Sequence, residues 1–315
     1  MKSIFKTNKI KCVAFKVYNS ILSLMLFTSL SSQNGIKVKT FENGRQTYIL
    51  PSGDRLFQRD WTYVTEFNEG YATAFDDSKH YAIDAKGKIL FTLPESSTYS
   101  NLNYSGEGRF SFSSNFRVGF YDTKGKLVIP SIYADAGAES PKFSEGVCCV
   151  LDSTNSYYIF IDKNGKKVLD FKIEGSMGGA GAILFPEFHE GLCIAHVNYK
   201  FGYIDHSGKW VIPPKFDRAD RFSEGLAAVR TLGKVFFINK KGEQAITRAF
   251  GSMDEGAVGF RYGYFENGEA TVNIDLSQID IDPADFSGAS NRDGSKDKFA
   301  IINRNGEVLR ILQDQ

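Results

Sequence analysis

The segment Gly202-Tyr203-Ile204-Asp205-His206-Ser207-Gly208-Lys209-Trp210-Val211-Ile212-Pro213-Pro214-Lys215-Phe216 decides the fold. It runs from a short apolar stretch ending in Asp, through a polar turn closed by Gly-Lys, into a second apolar stretch. Asp at the start of a turn and Gly near its end form a tight β-hairpin loop, because Gly takes the positive φ that other residues resist. With Asp205 as the reference, equivalent positions are Leu50, Asp84, Asp122, Asp162, Asn239 and Asn303. A glycine follows three residues after each: Gly53, Gly87, Gly125, Gly165, Gly208, Gly242 and Gly306. Repetition at intervals of 34 to 64 residues, one unit of about 34 plus insertions, is the signature of a repeat array, each copy contributing a β-hairpin.

The columns around the reference fix the expected faces. The residue before it is Ile49, Ile83, Tyr121, Ile161, Ile204, Ile238 or Ile302, and the residue six after it is Leu56, Leu90, Val128, Val168, Val211, Ala245 or Leu309. Both are apolar and are expected to face a shared interior. The column five after is mixed, with Arg55, Ile89, Leu127, Lys167, Trp210, Gln244 and Val308, and is expected on a partly exposed face, since strand neighbours point to opposite sides. Upstream stands a second signature, as in Phe67-Asn68-Glu69-Gly70, Phe143-Ser144-Glu145-Gly146, Phe188-His189-Glu190-Gly191 and Phe222-Ser223-Glu224-Gly225, each leading into a further strand. One unit is then a three-stranded antiparallel meander. Proline in the link to the next unit, as in Pro213-Pro214, is expected to stop further pairing. The fold class is all-β: about seven such units in an array, superhelical (solenoid) or propeller-like.

Composition agrees. Aromatic residues are 14% of 315, with 27 Phe and 15 Tyr against 4 Met, a bias that suits pleated, half-buried surfaces. Lys plus Arg (38) nearly balances Asp plus Glu (37), so no overall field draws a polyanion and no nucleic-acid partner is expected. Residues 1–33 hold five lysines and no acid, followed by an apolar run from Val17 to Leu30 and the small residues Ser29, Ser31 and Ser32. This is the anatomy of a secretory signal over 1–32, which places the mature domain at 33–315 in the periplasm, the cell envelope or outside the cell. The run is shorter than the roughly 20 residues of a membrane span, so a mature chain that does not cross the membrane is expected. Two stretches break the register, about 175–183 and 275–298, and read as surface insertions.

The quoted segment, followed by Phe222-Ser223-Glu224-Gly225-Leu226-Ala227-Ala228-Val229, closely resembles the bacterial WG-repeat family. The resemblance extends over nearly all of 36–312 and implies β-rich repeat architecture, often on exported proteins, with no established activity or catalytic residues. The sequence departs from the family pattern where Tyr81, Ile159 or Phe236 replaces the glycine of the name motif, and those units are expected to stack differently.

Motifs of chemistry are sparse. There is no Gly-x-Ser-x-Gly elbow, P-loop or His-Glu-x-x-His. His189, Cys193 and His196 come nearest to a metal set, but Cys193 and His196 fall on opposite strand faces, so no metal or other cofactor is expected. Asn291 to Asp297 has acids at calcium-loop spacing yet lacks the terminal Glu and reads as a solvated linker. Cys148 and Cys193 stand where other units have Ala72 and Ala227, so small core residues are expected, with a disulfide between units as the alternative. The recurring Glu69, Glu145, Glu190 and Glu224, and the reference Asp residues, are expected to accept backbone hydrogen bonds inside their own turns. Surface candidates for binding are Trp210, Trp61, Lys167 and Arg55. The function expected is a non-enzymatic, exported protein-binding scaffold. The alternative is carbohydrate or cell-wall binding through stacked aromatic rings, and the third class is a hydrolase assembled from distant loops.

Overall fold

The computed structural model describes residues 35–76, 79–93, 99–135, 140–154, 157–173, 185–250, 263–275 and 297–312. Both insertions and the leader lie essentially outside them. The described chain is all-β, and all its strand pairs are antiparallel.

Seven units follow one another. The first holds β1 (Lys37–Thr40) and β2 (Gln46–Ile49). The second holds β3 (Tyr63–Val64), β4 (Tyr71–Asp76), β5 (Lys79–Asp84) and β6 (Ile89–Thr92). The third holds β7 (Tyr99–Tyr104), β8 (Arg109–Ser114), β9 (Arg117–Asp122) and β10 (Leu127–Ala134). The fourth holds β11 (Phe143–Ser144), β12 (Val147–Leu151), β13 (Tyr158–Asp162) and β14 (Lys167–Ile173). The fifth holds β15 (Phe188–His189), β16 (Leu192–Val197), β17 (Lys200–Ile204) and β18 (Trp210–Phe216). The sixth holds β19 (Arg218–Ala219), β20 (Leu226–Thr231) and β21 (Lys234–Asn239), and the last β22 (Glu269–Asp275), β23 (Asp297–Asn303) and β24 (Val308–Ile311).

The reference hairpins form as their sequence dictates. The seven glycines have φ between 77° and 91°. The Asp205 carboxylate accepts the N–H groups of Ser207 and Lys209, and Asp84, Asp122, Asp162, Asn239 and Asn303 do the same in their own turns. One residue past the turn, the ladder slips. Ile204 pairs Trp210 but Tyr203 pairs Ile212, leaving Val211 as the extra residue of a β-bulge, and the same slip recurs in the β5–β6, β9–β10, β13–β14 and β23–β24 pairs. A one-residue bulge inverts the parity of everything beyond it. The interior column is therefore seven after the reference and not six. Ile129, Leu169, Ile212 and Ile246 are buried, whereas Val168, Val211 and Leu309 are 44%, 42% and 49% exposed.

The third strand also does not end at its proline. In β10 and β18 a second, two-residue bulge lets the chain ride over the facing strand, with Ile129 opposite Phe120 and Tyr133 opposite Val118, then Ile212 opposite Tyr203 and Phe216 opposite Phe201. Pro130, Pro213 and Pro214 sit inside these bulges, where no ladder N–H is required. Beneath them lie Gly119 and Gly202, at which a Cβ would stand 2.7 Å from the Ile129 carbonyl and 2.4 Å from the Ile212 carbonyl. Where Tyr81 or Ala300 takes that position, the two-residue bulge is absent and the ladder runs on, whereas β14 keeps it beside Ile159, with Leu169 opposite Phe160 and Ile173 opposite Tyr158. Beyond the bulge the strand enters the next sheet, Ala134 pairing Leu151 and β19 pairing β20, so most units gain a short outer strand beyond the three expected.

Both faces of each central strand are buried. Phe120, Phe160, Tyr203 and Phe237 point one way and Ile83, Ile161, Ile204, Ile238 and Ile302 the other, all at 3% exposure or less. Six clusters of buried side chains each join two consecutive units; Tyr203, Ile212 and Phe216 meet Phe222, Ala227 and Val229 across one junction. Full burial of each such aromatic or branched side chain contributes roughly 2–3 kcal/mol. The core thus lies between sheets.

Gly202→Ala should lower the stability of the protein by about 2–3 kcal/mol, because the added methyl must displace backbone. Lys209→Ala, on the exposed end of the hairpin, should stay within about 0.5 kcal/mol. Urea midpoints of the two variants check this, and equal midpoints would show that the close approach over Gly202 does not constrain the fold.

Candidate functional site

One end of the array gathers all reference hairpins together with the Glu-Gly turns. These turns have positive φ at both central residues, as in Glu145 (54°) and Gly146 (86°) or Glu190 (55°) and Gly191 (85°), the type I′ geometry that normally selects Asn-Gly. Holding Glu there costs roughly 1 kcal/mol of backbone strain. The carboxylate explains the choice, because it reaches out of its own turn into the next unit. Glu107 accepts the N–H of Gly146 at 3.0 Å, Glu145 that of Gly191, Glu190 that of Gly225 and Glu224 that of Gly268. The glutamates therefore join units, contrary to the expectation that they serve their own turns.

A basic side chain completes most of these clamps, and it comes from the residue just after the next unit's reference position. Lys163 lies 2.8 Å from Glu107, His206 2.9 Å from Glu145 and Lys240 3.1 Å from Glu190. At the last junction Arg304 donates to the Glu224 carbonyl at 2.6 Å. A hydrogen bond to a charged acceptor contributes about 1.5–3 kcal/mol, which outweighs the strain, whereas the half-exposed ion pair adds no more than about 1 kcal/mol. In the seventh unit the turn is Asn267-Gly268 instead. The signal was present in the sequence as an acid in one unit followed by a base in the next.

The junction of the second and third units lacks the cation, since Thr123 stands in its place. Glu69 there accepts the Tyr104 hydroxyl at 2.5 Å and the Glu107 N–H at 2.8 Å. Beside it opens a cleft of about 520 Å³ lined by Ile36, Leu50, Tyr71, Asp84, Lys86 and Thr123 among others. Its polar groups are largely committed, Asp84 to its own turn and Glu69 to the clamp. Its described lining holds no paired nucleophile and base.

The four sequence candidates do not converge on one surface. Trp61 is fully buried, its ring packed edge-on against Phe57 and Tyr81 with the Arg59 guanidinium 4.1 Å above it. That corrects the expectation of a surface ring. Arg55 is ion-paired with Asp60 in the same unit. Lys167 is exposed on β14. Trp210 is half-buried against the cluster that joins the fourth and fifth units, so a large part of its ring is packing.

Cys148, Cys149 and Cys193 are free thiols in the core, and burial pushes all three up, away from the reactive thiolate. The alternative of an inter-unit disulfide is thereby set aside in this structure. Among the described residues no group of three or more His, Cys, Asp or Glu side chains is placed to hold a metal ion.

Fold and junctions define an all-β array of stacked antiparallel units, propeller-like in its packing. The family model for the WG containing repeat matches residues 119–151 and 201–234, so the chain carries WG-containing repeats at those two places. Both matches open at the glycine beneath the two-residue bulge or one residue before it. Among solved structures, the chain is similar to Hsv2 of Kluyveromyces lactis with loop 6CD replaced by a Gly-Ser linker. The TM-score is 0.51 at 9% identity, with 87% of this chain and 95% of that chain covered. It is also similar to apo AztD from Citrobacter koseri, with TM-score 0.45, 11% identity, and 88% and 85% coverage. A streptogramin B lyase follows at 0.40 and 12%, with 91% and 85% coverage. At such identities the likeness concerns the fold, which is that of β-propeller-like proteins. No curated protein matches the chain in sequence.

Burial pushes the Glu107 carboxyl up, but its bonds to Lys163 and Gly146 more than reverse this and leave it below the usual carboxylate range; Glu145 behaves likewise through His206 and Gly191. A carboxyl depressed in the folded state stabilises fully above its unfolded value and loses that contribution as pH falls through the folded one. Stability should therefore decline on acidification below about pH 4.5. Glu107→Gln should cost about 1 kcal/mol at neutral pH and shallow the acid decline. Urea midpoints between neutral and acid pH measure both; a variant that parallels the wild type at every pH would remove the clamp from the account.

Proposed function

We propose that the protein is an exported, non-catalytic scaffold that binds another protein in the cell envelope or outside the cell. The observation that carries this reading is the outer face of the third strands. On the third strands Ile89 and Leu127, five after the reference, and Val168, Val211 and Leu309, six after it, are each between 40% and 49% exposed. Single exposed apolar residues are ordinary, but apolar residues exposed beside the turn in five of the units offer a surface spread over several repeats, of the kind repeat arrays use to bind. The basic leader with its short apolar run supports export. Buried thiols and acids engaged in turns and clamps support recognition over catalysis. The burial of Trp61 removes one of two rings from the carbohydrate reading, so protein binding is favoured.

Val168→Asp combined with Val211→Asp should abolish capture of a partner from an envelope extract by the mature chain, while moving its melting temperature by no more than about 2 °C. Cross-linking and pull-down with both forms make the comparison. Equal capture by the two would overturn the proposed face. N-terminal sequencing of the exported protein should read a start near residue 33, and an intact Met1 in the extracellular or periplasmic fraction would overturn export.

A further inference from the structure

The opposite end of the array carries the hairpins that join the two inner strands of each unit, and three of them are built in an unusual way. The tips are Asn115-Phe116 between β8 and β9, Asn198-Tyr199 between β16 and β17, and Leu232-Gly233 between β20 and β21. Every one of these six residues has positive φ, with Phe116 at 59°, Tyr199 at 60° and Leu232 at 51°. Phe116, Tyr199 and Leu232 are 90%, 92% and 90% exposed. A bulky side chain in the left-handed region is strained, and an apolar one in water gains nothing from burial. These tips therefore carry two local costs with no return inside the fold. Ile132 and Val197, 50% and 41% exposed, extend the same apolar rim.

Basic residues accompany the tips. Arg117, Lys200 and Lys234 follow them directly. Arg218 and Arg230 stand directly opposite each other across β19 and β20, a like-charge pair that is unfavourable by itself. Several described acids at this end are engaged, while in the last unit Asp275 stands opposite Asp297. Asp217 accepts Lys200 Nζ at 2.5 Å and the Leu232 N–H at 2.9 Å, so it ties the Tyr199 and Leu232 tips together. Asp76 is sealed between Arg45 and Arg59, Asp135 takes the Ser113 hydroxyl, and Asp152 caps its own turn through Thr154. Arg117 braces its tip on the Ile132 carbonyl at 3.0 Å and on Ser153 Oγ at 2.7 Å, in the neighbouring unit. The tips are thus held in fixed relation.

We propose that this end docks onto an anionic lipid bilayer, with Phe116, Tyr199 and Leu232 entering the boundary between headgroups and acyl chains. Arg117, Arg218, Arg230 and Lys234 then meet lipid phosphates. A protein partner is the less fitting occupant. Protein anchors sit in contiguous, closely packed patches, whereas these are separate convex tips, each one apolar side chain beside a cation, the arrangement an interfacial insertion requires. The inference stands on the tips alone and does not depend on the outer-strand face.

The test is sedimentation of the mature chain with vesicles of phosphatidylglycerol and phosphatidylethanolamine, and separately with vesicles of phosphatidylcholine alone. The wild type should bind the anionic vesicles, lose binding as salt screens the charges, and ignore the neutral ones. A triple variant, Phe116→Gly, Tyr199→Gly and Leu232→Asn, should bind at least about tenfold more weakly. Its melting temperature should be unchanged or raised, because Gly and Asn accept the left-handed region. Arg218→Ser with Lys234→Ser should weaken binding to anionic vesicles while keeping the fold. Wild-type protein left in the supernatant with both vesicle types would overturn the proposal, as would equal binding by wild type and triple variant. A large fall in melting temperature would make the tips structural, and capture of a soluble protein through these residues without vesicle binding would assign the rim to a protein partner instead.

Discussion

Each unit has a central strand that is apolar on both faces, and this is the constraint from which the architecture follows. A sheet with one apolar face can bury it against a single neighbour; a strand such as Phe160-Ile161 or Tyr203-Ile204 needs a neighbour on either side. No unit can satisfy that alone. Stacking is the solution, and the six junction clusters are where the folding free energy resides.

Apolar stacking is non-directional, so it does not by itself fix how one sheet sits on the next. The glutamate clamps supply direction. Each places a carboxylate from one unit on a backbone N–H of the following one, and in most junctions a base from the same following unit closes the contact. The serine beside the glutamate reinforces two of these junctions, Ser144 donating to the Phe188 carbonyl and Ser223 to that of Phe265. Because the clamps occupy one end, that end is architecturally committed, and the outer strands and the opposite rim take no part in it.

The two surfaces differ in kind. On the outer strands the exposed apolar residues are spread over several units and interspersed with polar ones such as Lys167. The rim is convex and mixed, with strained apolar tips beside cations.

The sequence determined the unit, its hairpin and its number of copies, because Gly at a positive-φ turn position and Asp capping its own loop are local demands that reach only a few residues along the chain. It also marked the inward column before each reference position. The column after the turn was misassigned, since a β-bulge adds one residue without changing composition and shifts every later side chain to the other face. Only the tertiary structure decided that Trp61 belongs to the core, that Glu145 and its equivalents serve the next unit, and that Phe116, Tyr199 and Leu232 share one end. Those facts depend on contacts between residues some 35 to 80 positions apart in many cases, and such contacts are set by how sheets stack, which no local pattern encodes.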